Sequence, residues 1–476
     1  MPSFLIYTLG CKLNQLESEA VADAFNQAGF IDEEIGVERQ NFANFPTVIV
    51  INTCTVTSKA DQKARRVIRK ALRDYPAACV VVTGCYAQLN KDDILRLETG
   101  DKKRLHVVNK ESVLDFISTY NDPQPPTPSS QFQFNPRRFS SHTRSFLKIQ
   151  DGCDRHCTYC KIRLVRGPSV SLEANEVLSR LRMLEQSHAE AVLAGVNISQ
   201  YRDLNFFCRE PHELIPSVCT RTEEEKVFDL SELLDYLLSG TEKIAVRLSS
   251  LAPESVDEKL VKVLSHPRIR PHFHLSIQSC SQKILERMGR SYNAEIVERS
   301  VSLLRSSKDD PFLACDIITG FPGETDAEFE ETFSLCQKLD FAWIHVFPYS
   351  KRAGTPAFSF KDTVHESDVT KRVKLFTDLA KKGSSAYVKR WLGREVDVLI
   401  EKEKNFTANH ADKHKQFFYN GVSENYLKVL VSGCEIEPPP GTVLKCKLEK
   451  VLNSDDFDVQ GTEIKCQAGI AQNENP

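Results

Sequence analysis

Three times within the first 85 residues, a short apolar run ends in a cysteine. Phe4-Leu5-Ile6-Tyr7 leads into Thr8-Leu9-Gly10-Cys11. Val48-Ile49-Val50-Ile51 leads into Asn52-Thr53-Cys54, and Val80-Val81-Val82 into Thr83-Gly84-Cys85. Short, β-branched, uninterrupted apolar runs belong to strands buried on both faces, as in parallel sheets covered by helices. Helical stretches at Gln15–Ala28 and Ser58–Asp74 follow the first two runs, and that alternation predicts a parallel α/β sheet. Its strands point one way, so the loops leaving their C-terminal ends share one edge, where ligands bind. Cys11, Cys54 and Cys85 are therefore expected to converge, although 43 and 31 residues separate them. A buried thiol is also an ordinary small apolar side chain, the reading that fits Cys79 within its own run.

The rest of the chain divides by texture. Residues 1–120 hold the cysteine phrases. Residues 121–145, rich in Pro, Ser, Gln and Arg, read as a linker, part of which can order against its neighbours. A strand–helix rhythm then fills 146–368. Its strand candidates are Phe146–Gln150, Ala191–Gly195, Ala245–Ser250, Phe273–Ser279, Leu313–Gly320 and Trp343–Tyr349, separated by helices such as Glu173–Gln186, Leu230–Leu238 and Asp326–Lys338. Six parallel strands with crossovers fit a doubly wound sheet or an incomplete (β/α) barrel. Asp203–Lys226 interrupts the rhythm as a surface insertion. Residues 369–392 read as a connecting helix. Glu395–Ile400, Phe417–Tyr419, Tyr426–Val431 and Val443–Leu448 give a small all-β module over 393–468, and 469–476 is a polar tail.

Composition narrows the function classes. A chain of 476 residues with 41% hydrophobic and 27% charged residues has material for several cores and is not disordered. No run of about 18 apolar residues exists, which excludes a helical membrane span. The opening residues lack the basic region of a secretory signal, so the expected compartment is the cytoplasm. Fifteen cysteines then point to metal or redox chemistry rather than a disulfide framework. With a net charge of −3, affinity for nucleic acid would have to come from local basic patches. One candidate is the helix after Cys54. It carries Lys59, Lys63, Arg66 and Lys70 near one face and Arg65, Arg69 and Arg73 in an adjoining row, which is a phosphate-tracking surface or simply a solvated one. Phe417, Phe418, Tyr419 and Tyr426 are base-stacking candidates or core of the β module.

Cys153-Asp154-Arg155-His156-Cys157-Thr158-Tyr159-Cys160 follows directly on a strand. Three thiolates on one tight loop can hold an iron–sulfur cubane with one iron left open, or a zinc ion with His156 as fourth ligand. This CxxxCxxC loop, after the first strand of a six-strand α/β segment, resembles the radical S-adenosylmethionine superfamily. The resemblance implies a partial (β/α)6 barrel and an open iron that chelates S-adenosylmethionine. Reductive cleavage of that cofactor then yields a carbon radical.

The match extends further. Tyr7-Thr8-Leu9-Gly10-Cys11-Lys12-Leu13-Asn14-Gln15, Asn52-Thr53-Cys54 and Val82-Thr83-Gly84-Cys85-Tyr86-Ala87-Gln88 are similar to the three ligand motifs of the methylthiotransferases. Leu193–Ile198, Phe273–Ser279, Asp316–Thr325 and Phe347–Ser350 match in order. The resemblance implies two 4Fe-4S clusters, one on Cys11, Cys54 and Cys85 and one on Cys153, Cys157 and Cys160, with both open irons facing one cavity. It also implies a C-terminal RNA-binding TRAM module. Asn197, Arg247, Ser249, Gln278 and Asp316 become candidates to hold S-adenosylmethionine, or else bonds within the loops; Pro322-Gly323-Glu324 is a ligand contact or a turn. The other nine cysteines are expected to stay reduced thiols. Thr8–Glu19 resembles the MtaB-type branch, which implies tRNA as partner and C2 of N6-threonylcarbamoyladenosine as target. Other branches act on isopentenyladenosine tRNA or a ribosomal protein, and a non-enzymatic iron–sulfur RNA-binding protein is the reading from another class. Two positions depart from the family: Cys280 stands where a glycine is usual, and Lys161-Ile162-Arg163-Leu164 replaces an apolar, proline-containing stretch.

Overall fold

The computed structural model describes residues 2–33, 46–98, 104–119, 132, 134, 136, 143–204, 206, 227–401, 418–432, 438–452 and 458–463. Strands β1 (Ser3–Thr8), β2 (Ile31–Asp32), β3 (Val48–Thr53), β4 (Cys79–Gly84) and β5 (Leu105–Val107) form one parallel sheet in the order β2-β1-β3-β4-β5. Every residue of β3 is buried, as its apolar run requires. Helices α1 (Lys12–Gln27) and α2 (Ser58–Asp74) cover opposite faces. Leu16 and Ala20 of α1 pack in one core with Val48 and Val50, while Ala64, Ile68 and Ala71 of α2 pack in another with Ile49 and Ile51. The Thr57 side chain caps α2 by accepting from the Ala60 N–H; Asp61 in its first turn and Arg73 in its last suit the helix dipole. Strand order reverses between β1 and β3. Cys11 and Cys54 leave the sheet at that reversal, and Cys85 follows β4 beside it.

Six core strands follow: β6 (Ser145–Lys148), β7 (Glu190–Ala194), β8 (Ala245–Leu248), β9 (His272–Gln278), β10 (Phe312–Thr319) and β11 (Trp343–Pro348). β6, β7 and β8 pair in parallel, as do β9, β10 and β11; the parallel bridges Val246–Ile269 and Leu251–Leu275 connect the halves. Neighbours in space are neighbours in sequence, with no reversal, which makes this an incomplete barrel rather than a doubly wound sheet. Leu193, Val246, Leu275, Cys315 and Ile344 pack outward with the covering helices. Glu190, Arg247, His272, His274, Asp316 and His345 alternate with such residues and point to the concave side.

The long helix Glu366–Trp391 leads to a closed barrel of β12 (Glu395–Ile400), β13 (Tyr419–Ser423), β14 (Lys428–Ser432), β15 (Val443–Val451) and β16 (Val459–Glu463), ordered β12-β13-β14-β16-β15. The strand expected from Tyr426 starts at Lys428, because Tyr426 takes a left-handed turn conformation with φ +71°. Tyr419 is barrel core, whereas Tyr426 leaves the barrel to pack on His272, ring centroids 4.1 Å apart. Phe417, most of the expected linker, nearly all of the insertion and the tail lie outside the described residues. Phe132 and Phe134 of the linker are described, and both are buried in the main core. Among the described residues no helix is long and apolar enough to cross a membrane.

Candidate active site between two cysteine trios

The first trio is assembled by the ends of three strands. Gly10, at φ +119°, brings the Cys11 loop so close that a Cβ there would lie 2.6 Å from the Cβ of Cys54. Gly84, at φ +91°, has the Thr53 carbonyl where its own Cβ would be, 2.4 Å away. Buried Asn14 and Asn52 tie the loops together. Asn14 donates to the Asn52 side chain and to the Thr53 carbonyl, each at 3.0 Å; Asn52 donates to the Asn14 carbonyl at 2.9 Å, and Cys11 Sγ donates to Asn14 Oδ1 at 3.3 Å. Burial pushes the Cys54 thiol up to about 11, and nearby Cys11 and Cys85 add to the rise.

The second trio shares one loop. Asn197 hydrogen-bonds Cys153, and the Cys160 sulfur accepts from the Ile162 N–H at 3.4 Å. Burial pushes Cys160 up to about 11, with Cys157 and Cys153 acting in the same direction. His156 instead accepts from Arg163, so it is not turned in as a fourth ligand. All six cysteines are free thiols, and among the described residues no three His, Cys, Asp or Glu side chains converge on a single-ion site. A cubane asks for something else: thiols spaced around it, one per iron. Such soft donors, three on one loop and three at the ends of β1, β3 and β4, fit iron–sulfur clusters, whose binding displaces the thiol protons.

A buried ionic junction connects the trios. Arg166, six residues after Cys160, hydrogen-bonds Cys85 and lies 3.0 Å from Glu17 of α1 and 3.1 Å from Asp151. Lys110 lies 3.0 Å from Asp151 and 3.4 Å from Glu17, and Lys148 also pairs with Asp151. Three cations thus face two carboxylates beside Cys85; burial pushes the Cys85 thiol up and Glu17 adds to the rise, while Arg166 works against it. Burial alone would raise Glu17, but Arg166, Lys110 and Lys148 hold it below the usual carboxylate range. A second clasp comes from buried Arg352, beyond β11. It donates to the Thr55 carbonyl at 2.7 Å and pairs with Asp61 at 2.9 Å, while Ser350 Oγ accepts from the Ser58 N–H at 3.0 Å.

The cofactor candidates are spread over the sheet. Asn197 stands beside Cys153. Ser249 ends in a buried hydroxyl with no partner. Gln278 closes β9 with φ +69°, a left-handed conformation rare for a side-chain-bearing residue and concentrated at functional sites. Asp316 lies 3.2 Å from His274 Nε2. Arg247 is deeper, paired with Glu190 at 2.7 Å and reaching the Ser423 carbonyl of the small barrel at 3.4 Å. The positive φ next to the Cys280 departure thus belongs to Gln278; Cys280 is buried, its thiol hydrogen-bonded to that of Cys336. Glu324 forms a turn, accepting from the Gly320 N–H at 2.6 Å and from Arg372 at 2.8 Å.

Sequence reasoning missed Glu17, Arg166, Arg352, His272, His274 and His345. The histidines did leave a signal: His272-Phe273-His274-Leu275-Ser276-Ile277-Gln278 alternates polar and apolar, where a parallel strand should be apolar throughout.

Comparison with known proteins matches residues 3–103 to the family described as uncharacterized protein family UPF0004, and residues 147–336 to the radical SAM superfamily. A threonylcarbamoyladenosine tRNA methylthiotransferase MtaB from Treponema pallidum is 37% identical over 84% of this chain and 91% of its own length. Its namesake from Thermotoga maritima is 34% identical over 84% and 87%. The chain belongs to the MtaB methylthiotransferase family. More distant is a tRNA-2-methylthio-N(6)-dimethylallyladenosine synthase from Bacillus velezensis, 28% identical over 90% of this chain and 82% of that protein. The solved structure of a radical S-adenosylmethionine methyltransferase, TsrM, from Kitasatospora setae aligns at 15% identity and TM-score 0.48, over 75% of this chain and 77% of that one. For an MtaB family member, the radical SAM segment implies a 4Fe-4S cluster and S-adenosylmethionine.

Proposed function

We propose that this chain methylthiolates C2 of the adenine in N6-threonylcarbamoyladenosine, beside the anticodon of a tRNA. The observation that carries this reading is the Arg166 junction, which joins the loop after Cys160 to Cys85 and Glu17. A C2 hydrogen is not acidic, so general base catalysis has nothing to act on. Bound at Cys153, Cys157 and Cys160, a 4Fe-4S cluster with S-adenosylmethionine supplies hydrogen abstraction, and a second cluster at Cys11, Cys54 and Cys85 supplies sulfur.

The chain's own residues orient these groups. Arg166 and Arg352 hold the amino-terminal trio against the barrel, and Asn197 braces the Cys153 loop. Asn197, Ser249, Gln278 and Asp316 line the route proposed for S-adenosylmethionine, while Arg247, the fifth candidate, lies deeper against Glu190. The exposed basic residues of α2, Lys59, Lys63, Arg66, Arg69 and Lys70, support contact with tRNA phosphates. Residues 1–120, 146–368 and 393–468 act as cluster domain, radical core and TRAM-like RNA module, joined by 121–145 and the connecting segment 369–392, in a cytoplasmic enzyme.

Mass analysis of tRNA nucleosides from a strain lacking the gene tests the proposal. The 2-methylthio form of threonylcarbamoyladenosine should disappear and return on complementation; loss of the isopentenyl counterpart instead would overturn the substrate assignment.

A further inference from the structure

The concave face of the six-stranded sheet carries more positive charge than either cysteine trio needs. Lys12 is the first residue of α1, directly after Cys11, and has no ion-pair partner among the described residues. Its ammonium lies within electrostatic reach of Tyr426, Arg144, Arg247 and Glu190, and acts on His272 and His345 as well. The carboxylates nearby are already engaged. Glu190 pairs with Arg247 at 2.7 Å and Arg270 at 3.0 Å, and Glu401 pairs with Arg144 at 3.2 Å. Two buried atoms here have no partner, Arg247 Nη1 and His272 Nδ1, on side chains 1% and 4% exposed. Buried polar atoms without partners are rare and ask for one.

Position separates this chamber from the cofactor. Glu190 and His272 open their strands and Arg144 precedes β6, so the floor lies at the N-terminal ends, away from the Cys153–Cys160 loop. Tyr426 closes it, with the guanidinium groups of Arg247 and Arg144 at 5.1 and 5.7 Å from its ring.

We propose that this chamber receives the threonylcarbamoyl arm of the substrate adenosine, and that Lys12 pairs with its carboxylate. The inference rests on the substrate reading above and deepens it. A threonylcarbamoyl group ends in a carboxylate and carries a hydroxyl and a urea, which suit the ammonium and the two unpartnered atoms. An isopentenyl arm offers none of these and would leave the half-buried cation unpaired, which is how such a site rejects the wrong substrate.

The test measures binding of anticodon stem-loop RNAs to the reconstituted full-length enzyme by fluorescence anisotropy. The RNAs carry threonylcarbamoyladenosine, its methyl ester, isopentenyladenosine or plain adenosine. The acid should bind roughly tenfold or more tighter than the ester, the size of a charged hydrogen bond. Lys12→Met should erase that difference while leaving the plain-adenosine RNA unchanged, and Lys12→Arg should keep most of it. The ester comparison needs no variant, so it decides even if substitution beside Cys11 disturbs loading. Equal binding of acid and ester, with threonylcarbamoyl still preferred over isopentenyl, would overturn the chamber but leave the substrate assignment standing. Preference for the isopentenyl RNA would overturn the substrate assignment itself.

Discussion

The two cysteine trios are alike in content and opposite in construction. Cys153, Cys157 and Cys160 sit on one loop of eight residues, and their spacing is a local property of the chain. Cys11, Cys54 and Cys85 meet only because a five-stranded sheet has folded, and Arg166 and Arg352 then hold that sheet on the barrel. The contiguous loop can gather metal with little else in place. The distributed trio depends on the packing of its sheet, so a distant core defect reaches it.

The sharpest break of that comparison is removal of one ligand from each side. Cys54→Ala and Cys157→Ala should each cut iron from about eight to about four atoms per chain and abolish methylthiolation. Only Cys157→Ala should also abolish release of 5′-deoxyadenosine from S-adenosylmethionine.

Arg166→Met comes next in size. It leaves Glu17 and Asp151 short of their shared guanidinium, a loss of about 3–5 kcal/mol for a broken buried pair. Thermal melting should fall, and iron on the amino-terminal trio should drop while the CxxxCxxC loop stays loaded. Equal loss from both would show that the trios are not independent.

Acid should act on the barrel side through Glu190. Burial works against its charge, yet Arg247 and Arg270 hold its pKa at about 2, against an ordinary 4.5. A depressed carboxylate contributes in full above its unfolded pKa, and the contribution is lost as pH falls through the folded one. Melting temperature should therefore hold from pH 7 to 5 and decline below about 4.5, and Glu190→Gln should make that decline shallower.

The smallest effect on the fold is expected at α2. Lys63→Glu with Arg66→Glu should change stability by less than about 0.5 kcal/mol. Binding of tRNA should weaken, and the slope of log affinity against log salt should shrink by about one per lost phosphate contact.

What could be read in advance follows the same divide. Val48–Thr53 announces itself because both faces of that strand are buried, and Phe312–Thr319 because most of its residues are. The edge of cysteines followed from strand direction alone. Arg166 and Glu17 stand 149 residues apart, with no local pattern to join them. Val459–Glu463 escaped notice because closure of the small barrel, not its own Val-Gln-Gly-Thr-Glu sequence, makes it a strand. Arg247 shows the limit of motif transfer: its position on β8 was legible, but its partner Glu190 and the small barrel behind it were not.

The Arg352 clasp sets an order of events on the ribosome. Thr55 waits for a partner 297 residues downstream, roughly 15–60 s of translation. During that interval the nascent amino-terminal sheet stands without this clasp. On the two-cluster reading proposed above, iron and sulfide can reach that edge within this window, before Arg352 closes on Thr55.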